Sequence, residues 1–168
     1  MTVLFIPRHV SSRDISLILD LEVPMADIHI FSHPHIPDVM IFDITGDLTA
    51  DQFLSTKVKH YGNPNVVHCL WDFTKGSIHH ISTHEFKLVL SSIMPTQRNR
   101  HGVCTAMVFP VISDFGLGRM YLSFAQVMDI RITYYICRAR EEADIWLRAT
   151  HKPTSEPSEN QRLRQKSC

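Results

Sequence analysis

Val66-Val-His-Cys-Leu-Trp-Asp-Phe73 is a near-continuous apolar run, the pattern of a strand covered on both faces. Three more runs of this kind flank it: Val39 to Ile44 upstream, then Val103 to Phe109 and Ile130 to Ile136 downstream. Segments of helical period separate them in strict strand–helix order. That alternation is the signature of an α/β fold, a sheet with helices packed on it. Upstream of the first run, Ile28 and Ile30 alternate with His29 and Phe31 as a short strand would. Ser32-His-Pro-His-Ile-Pro37 reads as a turn, because two prolines forbid a continuous ladder, so the first two strands form an antiparallel hairpin.

The helices carry their own punctuation. Thr49 caps the first, whose apolar side is Phe53, Leu54, Val58 and Tyr61, and Gly62-Asn-Pro64 stops it. Ser82-Thr-His-Glu85 is a capping box, followed by Phe86, Val89, Leu90 and Ile93 at helical spacing until Pro95. Ser113 or Asp114 caps a third helix with Leu117, Met120, Tyr121, Phe124 and Met128 as its stripe. Ala139, Ala143, Trp146 and Leu147 make the buried side of the last, with Glu141 and Glu142 near its positive start. Residues 1–25 form an N-terminal extension that fits either a short helix or an extra strand, ended by Pro24. Residues 26–150 are the domain. Residues 151–168, rich in proline, serine and charge, carry too few apolar side chains to fold and read as a disordered tail.

Composition narrows the classes of function. Seventeen basic side chains balance seventeen acidic ones, which excludes a field that would draw the chain to nucleic acid. No stretch approaches the roughly 18 apolar residues of a membrane span, and Pro7-Arg-His9 breaks the short apolar N-terminus. Of four cysteines, Cys69, Cys104 and Cys137 fall in expected interior strands without CxxC spacing. They read as core residues of a reducing compartment, and the chain as soluble and cytoplasmic.

Four segments, in this order and spacing, resemble the STAS-like (SpoIIAA-like) domain family, in particular its uncharacterised bacterial branch. They are Ile44-Thr-Gly-Asp-Leu-Thr49, Leu70-Trp-Asp-Phe73, Phe115-Gly-Leu-Gly-Arg-Met-Tyr121 and Ala139-Arg-Glu-Glu-Ala-Asp-Ile-Trp-Leu147. The resemblance implies a mixed sheet of four to five strands with about four helices. It also implies a role in regulation by protein–protein contact, or in binding a small ligand, and not catalysis. The chain reads as a non-enzymatic regulatory module with a protein partner, which includes a homodimer through an exposed strand edge or helix face. The alternative is a carrier of a small ligand or lipid. Regulatory members place a phosphorylatable serine in an Asp-Ser-(Ser/Thr)-Gly turn. Here the matching stretch, His79-His-Ile-Ser-Thr-His84, lacks the acid and the glycine. Ser82 and Thr83 are the candidate phosphorylation sites by position, and the capping box accounts for Ser82 without a switch.

Ligands of open α/β sheets sit beyond the C-terminal strand ends. The candidate ligand-binding residues there are Asp72, Thr74, Lys75, Ser113, Asp114 and Arg119. Arg119, placed near a helix's positive end, calls for a carboxylate such as Asp72, so the two are expected to pair. Gly116-Leu-Gly118 lacks the third glycine of a dinucleotide loop and reads as close packing of helix on sheet or as a mobile loop. Eleven histidines include His33-Pro-His35 and His79-His80 with His84, yet no cysteine or carboxylate set completes a zinc shell by spacing, so no metal is expected. Catalytic residues and cofactors are expected to be absent too: there is no GxSxG elbow, and His68 and Cys69 face opposite ways on one strand. Arg98, Arg100 and His101 make the densest basic patch, read as a solvated loop.

Overall fold

A computed structural model of the chain describes residues 25–61, 68–97 and 102–150. The N-terminal extension up to residue 24, the Gly62-Asn-Pro64 stop, the basic patch and the tail lie outside the described residues. Five strands and four helices follow one another as β1 (Asp27–Ser32), β2 (Val39–Asp47), α1 (Ala50–Tyr61), β3 (His68–Ser77), α2 (Thr83–Gln97), β4 (Cys104–Val108), α3 (Ile112–Val127), β5 (Thr133–Cys137) and α4 (Arg140–Thr150). They form a single mixed sheet in the order β1-β2-β3-β4-β5. β1 runs antiparallel to β2, and the other three pairings are parallel. The α/β class and the element order expected from the sequence are what the structure has.

Alternation along the strands divides the core into two layers. Phe42, Ile44, Cys69, Trp71, Phe73, Met107 and Phe109 face α1, α2 and α3. Val39, Ile41, Leu70, Ala106, Val108 and Cys137 face α4 and Ile36 of the turn before β2. Both sides of β3 are therefore covered, which is why its sequence is apolar almost without a break. Phe42 stacks on Trp71 with ring centroids 4.4 Å apart, and Phe73 stacks on Phe109 at 4.6 Å. Cys69, Cys104 and Cys137 are buried and unbridged.

Several boundaries differ from expectation: β2 runs on to Asp47, and β5 is Thr133–Cys137 where Ile130 to Ile136 was expected. β3 continues to Ser77 because an irregularity lets it resume pairing: Asp43 lies opposite Asp72, but Thr45 lies opposite Lys75. One extra residue of β3, between Asp72 and Lys75, is accommodated as a bulge. Helix α2 runs past Pro95 to Gln97, although the proline lacks the amide that would donate to the carbonyl four residues back. Helix α3 starts at Ile112 with Val111 as N-cap and no side-chain cap, so neither Ser113 nor Asp114 caps it.

The two glycines of the 116–118 segment are not equivalent. A Cβ on Gly118 would lie 2.5 Å from Cε2 of the buried Phe109 ring, whereas one on Gly116 would meet nothing within 4 Å. Gly118 thus lets α3 approach the sheet. Gly118→Ala is expected to destabilise by about 1–2 kcal/mol, overpacking outweighing the gain in helix propensity, while Gly116→Ala stabilises by about 0.5–1 kcal/mol. Denaturant midpoints of both variants check the opposite signs; equal shifts would contradict the close approach.

Candidate functional site

The candidate ligand-binding residues divide between the two faces of the sheet. Asp72 follows Leu70 and Val108 onto the α4 side of the sheet, whereas α3 packs on the opposite side through Tyr121 and Ala125. Arg119 is exposed on α3, so the sheet itself separates it from Asp72 and the expected pair is not formed. The error was one of face: strand alternation, not proximity in the loop order, decides which helix a strand residue meets. Ser113 is exposed at the start of α3 and Asp114 is buried there. Lys75 reaches Asp43 Oδ2 at 3.4 Å from an exposed position. Only Asp72 and Thr74 of the six come together: the Thr74 amide and hydroxyl both donate to Asp72 Oδ1, the amide at 2.9 Å.

The cation that meets Asp72 is Arg140, at the first position of α4. Its Nη1 donates to Asp72 Oδ2 at 2.7 Å and its Nε to Asp144 Oδ1 at 3.0 Å. Asp144 is in turn 3.2 Å from His33 Nε2. His33 Nδ1 accepts from the amides of His35 and Ile36 at 3.1 and 3.0 Å, which leaves the proton on Nε2 to be donated to Asp144. The result is one polar chain running Thr74–Asp72–Arg140–Asp144–His33 beneath α4. Burial works to raise the Asp72 carboxyl, but the Thr74 and Arg140 hydrogen bonds and the arginine charge outweigh it, holding the group below the ordinary carboxylate range. These bonds tie β3, the turn before β2 and α4 together, so the cluster is an anchor for α4.

A second polar group lies inside the other layer, where none was expected. Lys57 is completely buried, four residues after Phe53 on the inner face of α1. Val58, expected on that face, is exposed instead. The Lys57 Nζ lies 4.5 Å from the Phe53 ring centroid, 4.9 Å from that of Trp71, 5.5 Å from Tyr121 and 5.9 Å from Tyr134. Burial pushes its pKa down to about 7, with Cys69 acting the other way. Burial likewise raises that of the Tyr134 hydroxyl, opposed by a hydrogen bond with Tyr121. A lysine in an apolar stripe reads as a surface residue in any hydropathy pattern. The one available signal was its four-residue spacing from Phe53.

The rim at the C-terminal strand ends holds the remaining features. Asp47, at the end of β2, stands beside His79 and His80 in the turn after β3. Ser82 and Glu85 form the expected capping box at α2: the Ser82 amide donates to Glu85 Oε2 at 2.7 Å and the Glu85 amide to Ser82 Oγ at 3.3 Å. Thr83 Oγ1 contacts Met120 Sδ at 3.7 Å. Further along, Val111 and Ile112 are 56% and 72% exposed where α3 begins.

No family model matches the chain, and no curated protein matches it. Among solved structures, the anti-sigma factor antagonist SpoIIAA in its unphosphorylated form aligns with 71% of this chain and 94% of its own, at 12% identity and a TM-score of 0.42. SpoIIAA gives its name to the family that the four sequence segments resemble. No described helix is long and apolar enough to cross a membrane.

Proposed function

We propose that this chain is a non-enzymatic regulatory module that docks a protein partner on the rim at the C-terminal ends of its parallel strands. The observation that carries this reading is the uncapped start of α3, where Val111 and Ile112 project into solvent beside free helix amides. A folded chain gains nothing from leaving two large aliphatic side chains there, whereas a partner that covers them and caps the amides with a carboxylate would. Arg138 reinforces the same rim: its Nη2 donates to Pro110 O at 3.1 Å, fixing the loop that leads into α3.

Native mass spectrometry of the full chain purified from its own host, beside Ile112→Asp, tests the reading. Wild type is expected to carry a stoichiometric second polypeptide, another protein or a second copy, that the variant loses while keeping its thermal midpoint. A bare monomer, or a complex indifferent to the substitution, would overturn it. A bound small molecule without a second polypeptide would replace it with the carrier function.

A further inference from the structure

We infer that Asp47, His79 and His80 form a binding site for a divalent first-row transition metal of the zinc class. The site follows from the pairing of β2 with β3, which runs in parallel register to its last residues and sets Asp47 opposite Ser77. The chain then turns through His79 and His80 before α2 begins. Sequence spacing could not have found this set, because its carboxylate comes from the neighbouring strand.

The turn is a fixed platform. The Leu48 amide donates to Ser77 O at 2.9 Å and the Ile81 amide to Ile78 O at 3.0 Å. The His79 amide donates to Ser77 Oγ at 3.1 Å. Ile78 and Ile81 are buried on either side of the two histidines, which leaves both imidazoles outside, facing the same carboxylate. His80 Nε2 lies 3.3 Å from Asp47 Oδ2, and His79 Nδ1 lies 3.7 Å from Asp47 Oδ1. One donor atom from each of the three residues falls within 4.8 Å of the others.

The Asp47–His80 separation matches a metal shell, and the Asp47–His79 separation is close to one. With bonds of about 2.0–2.2 Å at tetrahedral angles, neighbouring donors stand about 3.3–3.6 Å apart. Small rotations of exposed side chains would close the three around one ion, with the Ser77 hydroxyl giving up its contact to His79 Nδ1 as the metal takes that lone pair. Two imidazoles and one carboxylate select zinc, cobalt or nickel over magnesium and calcium, which prefer oxygen shells. Three protein donors leave a fourth position open to water or to a donor brought by another molecule. The other histidine group supplies no rival, since both nitrogens of His33 are engaged within the fold. The inference does not depend on the docking function, because it needs no partner.

Titration calorimetry of the untagged full chain with zinc chloride, nickel chloride and magnesium chloride tests it. The expected result is one equivalent of zinc or nickel bound in the micromolar range, no magnesium, and weaker binding on acidification, as imidazole ligation requires. Asp47→Asn and His80→Gln should each weaken zinc by about 100-fold with an unchanged thermal midpoint, and His84→Gln should bind like wild type. Absence of a one-equivalent isotherm, or Asp47→Asn and His80→Gln variants that bind as tightly as wild type, would overturn the site and assign any heat to other histidines.

Discussion

Lys57→Met is expected to raise the thermal midpoint of this chain and to flatten its dependence on pH above neutrality. Methionine keeps the length and flexibility of the lysine stem among Phe53, Trp71, Tyr121 and Tyr134 while removing the group that burial disfavours. The lysine's pKa falls from an ordinary 10.5 to about 7 in the folded chain. Each pH unit of such a shift corresponds to about 1.4 kcal/mol of differential stability. Below pH 7 both folded and unfolded chains hold the proton, so the penalty on the folded state is complete and constant. Between about 7 and 10.5 the unfolded amine stays protonated while the folded one releases its proton. The unfolded state then binds more protons, and wild-type stability rises with pH across that window. The gain from Lys57→Met should therefore be several kcal/mol at pH 6 and shrink towards zero near pH 10. Ring faces offset part of the cost, since cation–π contacts contribute up to about 2 kcal/mol when desolvated. Urea midpoints of both proteins at pH 6, 8 and 10 decide the matter: parallel curves, or a less stable methionine variant, would show that the ammonium is well accommodated.

Lys57 also shows where the sequence stopped being informative. The order of strands and helices, the covered central strand and both hairpin strands were legible because hydrophobic period and proline positions act within a few residues of the chain. The Ser82–Glu85 box was legible for the same reason, its bonds spanning three residues. What failed were the pairings made across the sheet. Asp72 reads from the sequence as a charged residue at a strand end, but it lies within β3, the rule that strand residues alternate assigns it to α4, and its arginine is Arg140 and not Arg119. Asp47 and the two histidines lie more than thirty residues apart and meet only through strand register. The bulge in β3 hides that register in the sequence. Local signals thus fixed the elements, and the site contacts depended on how those elements pair.

Arg140→Met should cost about 2–3 kcal/mol at neutral pH, and Arg119→Ala should fall within about 0.5 kcal/mol of wild type. The arginine is the hinge of the polar chain under α4, bridging Asp72 at 2.7 Å and Asp144 at 3.0 Å. Its loss strands a carboxylate whose side chain is only 10% exposed, with Thr74 as its remaining partner. Because the arginine side chain itself is 29% exposed, water screens part of the pair, and the cost lies below that of a fully buried bridge. Acid separates this account from a simple loss of packing. In wild type the folded Asp72 carboxyl sits below its ordinary value of 3.8, so its contribution is complete above that value and is lost as the pH falls through the folded one. In Arg140→Met the same carboxyl keeps its burial but loses its cation, so protonation relieves the folded state instead of weakening it. The difference between the two proteins should consequently narrow on titration from pH 7 towards pH 3. Asp72→Asn should reproduce most of the loss, and combining it with Arg140→Met should cost clearly less than the sum of the two, because the second substitution removes a charge with no partner left to desert. Strict additivity, or a difference that stays constant into acid, would reduce Arg140 to its aliphatic contacts and leave Asp144 and His33 as the groups that hold α4 on the sheet.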